Sequence, residues 1–140
     1  MTQFDSTLRR VFVDTSAWLA LESPSDGNHS RALQIQSALR SAGSFLFCTN
    51  YIVAETHGLV VSRAGRTRAL SLLRDFDSGT VSVVRVEEED EATARRIIDR
   101  YTDKDFSLVD ATSFVVMEAL DIRTAFAFDA HFSQYGFTML

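Results

Sequence analysis

Short apolar runs alternate along the chain with longer segments whose apolar residues recur at helical spacing. The runs Arg10 to Val13, Ser44 to Cys48, Thr80 to Val86, Thr124 to Phe128 and Phe137 to Leu140 read as strands. They are largely apolar rather than alternating, as strands buried on both faces are. The helical segments are Ser16 to Glu22, Asn28 to Ala42, Tyr51 to Arg63, Arg66 to Phe76, Glu87 to Tyr101 and Ser107 to Leu120. The first ends near Pro24, and the third and fourth are split around Gly65. Gly43, Gly79 and Gly136 each stand just before an apolar run, the usual place for glycine past a helix end. Acids crowd the start of Glu87 to Tyr101 and arginines its end, which suits the helix dipole. Ser107 and Asp110 form a capping-box-like start. Strands alternating with helices of about 10–15 residues predict βαβ units. The expected fold class is therefore α/β, a parallel sheet of about five strands with helices on both faces.

Composition narrows the class. A chain of 140 residues with no repeat, low-complexity tract or linker predicts one domain over residues 1–140. Hydrophobic residues make up 46% and charged residues 24%, which excludes disorder. Cys48 is the only cysteine, so an internal disulfide and a cysteine-based zinc site are both excluded. A reducing, cytoplasmic setting fits. The segment Met1 to Arg10 is polar and does not read as a signal peptide, and no apolar run is long enough to span a bilayer. The formal charge of −5 argues on average against a basic nucleic-acid coat, although placement matters more than the sum. Thirteen of the fourteen basic residues are arginine. Genome composition accounts for such a bias, and a guanidinium also suits phosphate.

Several acids stand where acids are costly or useful. Asp14 follows Val11-Phe12-Val13 at the carboxyl end of the first strand, the edge at which ligands bind in such sheets. It reads equally well as a helix N-cap. Asp129 repeats that position after Thr124 to Phe128. Glu55 lies on an apolar stretch, Tyr51 to Thr56, where a carboxylate is costly unless paired or metal-bound. A first-turn glutamate favoured by the dipole is the plain alternative. Asp110 opens a deeply apolar helix, either as a site residue or as a capping partner of Ser107. Asp103 and Asp105 flank Lys104 in a short loop, and Asp103 reads as a solvated charge. His131 is a candidate ligand or general base, but a partly exposed helix histidine is the favoured reading. Four carboxylates brought to one sheet edge would repel unless cations neutralised them. An all-oxygen set selects a hard ion such as Mg²⁺ or Mn²⁺.

These segments resemble the blocks of a known family. Val11-Phe12-Val13-Asp14-Thr15-Ser16-Ala17-Trp18 is similar to the opening motif of PIN-domain nucleases. Glu55, the block Asp105 to Phe114, and Phe128-Asp129-Ala130-His131-Phe132 followed by Gly136-Phe137 resemble the next three blocks in order. Length and the third block resemble the VapC-type toxins of toxin–antitoxin pairs. The resemblance implies a three-layer α/β/α fold with strand order 3-2-1-4-5. It also implies an Mg²⁺- or Mn²⁺-dependent endoribonuclease, using one or two ions, that cleaves RNA with water as the attacking group. Asp14, Glu55, Asp110 and Asp129 would be its acidic quartet, Asp14 and Asp110 as direct ligands, Glu55 and Asp129 directly or through water. Ser16 matches the small hydroxyl residue beside the first acid, and Asp105 is an extra candidate near the third. Ala130 departs from the family, since that place is often polar or basic. The implied partners are RNA, a cognate antitoxin and a second copy of the chain, paired through helices of the first half, with no membrane. Arg63, Arg66, Arg68 and Arg74 are candidates for gripping RNA or an acidic antitoxin tail, or they form a solvated helix face.

Two other classes fit less well. A receiver domain needs a lysine at a late strand end, yet Lys104 is the only lysine. A haloacid-dehalogenase-like phosphatase needs a second Asp where Ser16 stands. A non-catalytic PIN-fold module that only binds RNA or protein is opposed by the complete quartet.

Overall fold

The computed structural model describes residues 8–140. Five strands and seven helices follow one another as β1 (Arg10–Val13), α1 (Thr15–Glu22), α2 (His29–Ser41), β2 (Phe45–Thr49), α3 (Asn50–Ala64), α4 (Arg66–Asp77), β3 (Ser82–Val84), α5 (Glu88–Arg100), α6 (Leu108–Ala119), β4 (Thr124–Phe126), α7 (His131–Tyr135) and β5 (Thr138–Met139). The sheet is parallel throughout, in the order β3-β2-β1-β4-β5. Chain order reverses at β1, which pairs with β2 on one side and β4 on the other.

The apolar triplet of β1 explains the two layers around the sheet. Phe12 enters one buried cluster with Ile52, Phe114, Met117 and Phe132. Val11 and Val13 enter another with Ala17, Ile35, Leu39 and Phe126. A central strand with a core on each face has no solvent side to advertise, hence its unbroken apolar run. Helix α6 is buried continuously from Asp110 to Met117, so its apolar residues form no stripe. It packs beside α5, whose acidic first turn and outer arginines face water.

Strands β3 and β5 are shorter than the apolar runs Thr80 to Val86 and Phe137 to Leu140. Among the described residues both lie at sheet edges and pair with one neighbour each. Short edge strands present few unpaired backbone groups to other chains. Gly65 separates α3 from α4 with φ 88° and ψ 175°, a backbone region essentially closed to residues with a Cβ.

Candidate active site

The carboxyl ends of β1 and β4 lie side by side, and the acids that follow them meet the starts of α3 and α6. Asp14, Ser16, Glu55, Asp105, Asp110, Asp129 and His131, together with Thr15, Leu19 and Ser107, line one open cavity of about 310 Å³.

Asp14 is the N-cap of α1. Its Oδ2 accepts hydrogen bonds from the Ser16 amide at 3.1 Å and the Ser16 hydroxyl at 2.6 Å. The Ser16 oxygen in turn accepts from the Phe128 amide at 2.9 Å, which ties the end of β1 to the end of β4. Capping and a place in the cavity are therefore not alternatives for Asp14. The residue is 4% exposed. Burial pushes its carboxyl up from 3.8 to about 6, against the two Ser16 hydrogen bonds, and the nearby Asp110 carboxylate adds to the rise.

Asp110 is likewise both cap and cavity residue. The Ser107 amide donates to Asp110 Oδ2 at 3.1 Å, and the Asp110 amide donates to the Ser107 hydroxyl at 3.0 Å. This reciprocal pair is the capping box of α6, and it fixes the carboxylate against the helix start. Asp129 accepts from the His131 amide at 2.9 Å through Oδ1.

Glu55 lines the cavity from the second turn of α3 but is exposed, so its placement carries no burial cost. The apolar neighbours that make it conspicuous, Ile52 above all, point into the core instead. Next to it, the buried Thr56 hydroxyl donates to that of Thr15 at 3.3 Å, linking the residue after Glu55 to the residue after Asp14. Asp105 is an exposed part of the lining. Asp103 is paired with Lys104 at 3.2 Å on the surface.

His131 is not a bystander on a helix surface. Its Nδ1 lies 2.8 Å from Asp110 Oδ2 and 3.1 Å from Asp129 Oδ1. Nothing in local spacing announces the first of these, which joins residues 21 apart. The place two residues after a strand-end Asp is the available signal for the second.

The donor chemistry fits a hard divalent cation. Asp14, Glu55, Asp110 and Asp129 line one open space, and burial together with a like charge disfavours the ionised Asp14. A cation would offset both effects. Ligand atoms of Asp110, Asp129 and His131 lie within 4.8 Å of one another, close enough to share an ion. Cys48 is fully buried on β2 and burial pushes its thiol up to about 12, so it offers no thiolate nucleophile.

The sequence profile of the PIN domain matches residues 11–138. The chain belongs to the PIN-domain family. Among curated PIN-domain relatives, the 23S rRNA-specific endonuclease VapC20 of Mycobacterium tuberculosis is 35% identical over 127 residues, spanning 91% of this chain and 95% of the relative. Ribonuclease VapC26 of the same organism is 28% identical over 124 residues, spanning 88% and 90%. The crystal structure of M. tuberculosis VapC20, described as a sarcin-ricin loop cleaving toxin, superposes with a TM-score of 0.85 at 34% identity, covering 91% of this chain and 96% of that one. The VapBC2 structure from Rickettsia felis, bound to a promoter DNA fragment, superposes at 0.66 with 10% identity, covering 94% and 97%, and so shares the PIN fold. The five-stranded parallel sheet in the order 3-2-1-4-5 is that fold.

Proposed function

We propose that this PIN domain, spanning the whole chain, is a divalent-metal-dependent endoribonuclease that hydrolyses RNA phosphodiester bonds and serves as the toxin of a toxin–antitoxin pair. The observation that carries the reading is the convergence of four carboxylates, from the residue after β1, from α3, from α6 and from the turn after β4, on one open cavity. The names of the similar proteins, an rRNA endonuclease and a ribonuclease, supply the reaction class.

Asp14, Asp110, Asp129 and Glu55 would hold Mg²⁺ or Mn²⁺. Such an ion, when bound, activates water and neutralises charge developing on the phosphate oxygens. The chain's own residues prepare the place. Ser16 orients Asp14 through two hydrogen bonds, and the α6 capping box orients Asp110. The His131 amide orients Asp129. Exposed Glu55 and Asp105 stand at the rim, where an incoming RNA backbone would pass. No side-chain nucleophile is needed. An antitoxin covering the acidic cavity and pairing with a second copy of the chain are the partner expectations that accompany this reading.

Asp14→Asn tests it. The variant retains the carbonyl that accepts from Ser16 but loses the charge, so it is expected to fold and to lose nearly all Mn²⁺-dependent cleavage of RNA. Ribosomal RNA containing the sarcin-ricin loop is the first substrate to assay. An unchanged turnover number would sink the assignment. A parent protein that takes up no Mn²⁺ at millimolar concentration would favour the non-catalytic binding module.

A further inference from the structure

His131 makes an interaction that the capping and ligand roles above leave unused. One ring nitrogen, Nδ1, stands between two carboxylates, 2.8 Å from Asp110 Oδ2 and 3.1 Å from Asp129 Oδ1. An ionised carboxylate only accepts hydrogen bonds, so Nδ1 carries a hydrogen and donates it to Asp110 Oδ2, while Asp129 Oδ1 lies within ion-pair distance. Asp129 and the ring are each held in place. The His131 amide donates to the same Asp129 oxygen at 2.9 Å. The Phe106 ring meets the imidazole edge-on, with centroids 5.5 Å apart and planes at 83°.

These hydrogen bonds fall on one oxygen of each acid. Asp110 Oδ2 accepts from both the Ser107 amide and His131 Nδ1. Asp129 Oδ1 accepts from the His131 amide and lies 3.1 Å from Nδ1. Asp110 Oδ1 and Asp129 Oδ2 are then the oxygens left to be offered to a cation. The two acids come from α6 and from the turn after β4, segments that share no backbone hydrogen bond among the described residues. His131 is the cross-piece between them, through its ring to Asp110 and its amide to Asp129.

We propose that His131 is a positioning residue of the metal site, whose Nδ1–H holds Asp110 while its amide holds Asp129, so that it ties the two acids together and leaves one oxygen of each for the ion. The proposal rests on the metal-dependent reading above. It makes His131 a group that acts through the ligands rather than a ligand or a general base. Partners that orient metal ligands in this way typically account for about 10- to 100-fold in metal affinity.

The experiment measures Mn²⁺ binding by calorimetry on the ion-free full chain and two variants, alongside RNA cleavage. His131→Ala removes the arm of the clamp that reaches Asp110 and is expected to weaken Mn²⁺ binding by about 10- to 100-fold. In His131→Asn, the side-chain amide nitrogen can donate from where Nδ1 stood, so most of the lost affinity is expected to return. Electron paramagnetic resonance of the bound Mn²⁺ in the parent is expected to show no imidazole nitrogen coupling. Parent-like affinity in His131→Ala overturns the proposal, as does failure of His131→Asn to restore binding. Imidazole coupling also overturns it, by making His131 a direct ligand. A parent that binds Mn²⁺ with this pattern yet leaves RNA intact would remove the nuclease reading and leave the clamp standing.

Discussion

Asp14 holds a carboxyl group where water hardly reaches, and its titration carries a stability cost that can be measured. Its folded value of about 6 lies above the ordinary 3.8, so the folded state binds this proton more tightly than the unfolded chain does. The resulting stability is fully present below about pH 4 and is lost as pH rises through 6. The displacement corresponds to about 3 kcal/mol at neutral pH. Ion-free Asp14→Asn is therefore expected to melt several degrees above the ion-free parent at pH 7.5, with a smaller gap at pH 4.5. A variant that melts below the parent at both values would refute the cost. Asp14 and Asp129 are legible in the sequence as acids that end apolar strands, and Asp110 as an acid that opens an apolar helix. Glu55 stands out there for a burial it does not have. The bridging position of His131 is not legible, because Asp110 reaches it only after α6 and α7 have packed.

At the scale of elements, caps and glycines carry most of the readable signal. The α6 capping box and the glycines at the ends of helices are local, and they appear where the sequence pattern puts them. The lengths of β3 and β5 are not local. They depend on how many neighbours a strand has, which Thr80 to Val86 cannot state. Gly65 shows the local case most plainly. A Cβ added there would meet no heavy atom within 4 Å, so a substitution costs backbone strain alone. Gly65→Ala is expected to lower stability by about 1–3 kcal/mol through that strain. Urea denaturation would read it as a lower midpoint with an unchanged slope. An unmoved midpoint would mean that the α3–α4 junction adapts its backbone.

Over the whole molecule, the charge of −5 gains a location. Setting aside the four acids of the cavity leaves the rest at −1, with thirteen arginines to distribute. Leu19 lines both the acidic cavity and a neighbouring one that holds Arg63 and Arg68. A strand of RNA leaving the carboxylates on that side would meet guanidinium groups. Arg68 also pairs with Glu22 at 3.2 Å, but both are partly exposed and such pairs contribute little stability. Arg63→Gln with Arg68→Gln is thus expected to leave melting nearly unchanged. It should reduce the salt slope of RNA binding by about one for each phosphate that no longer meets a guanidinium. A slope equal to the parent's would return these arginines to the solvated face. The layered α/β plan is readable from periodicity, whereas the strand order comes only with the family resemblance. Periodicity records which residues are buried, not which strand lies beside which.

The Ser16 hydroxyl that joins the Phe128 amide to Asp14 also makes the site observable from outside it. An amide proton has a resolvable nuclear magnetic resonance, and this one ends on the oxygen that holds the carboxylate. The Phe128 signal is in effect a built-in gauge of Asp14, responsive to its proton or its cation while no atom of the cavity is altered.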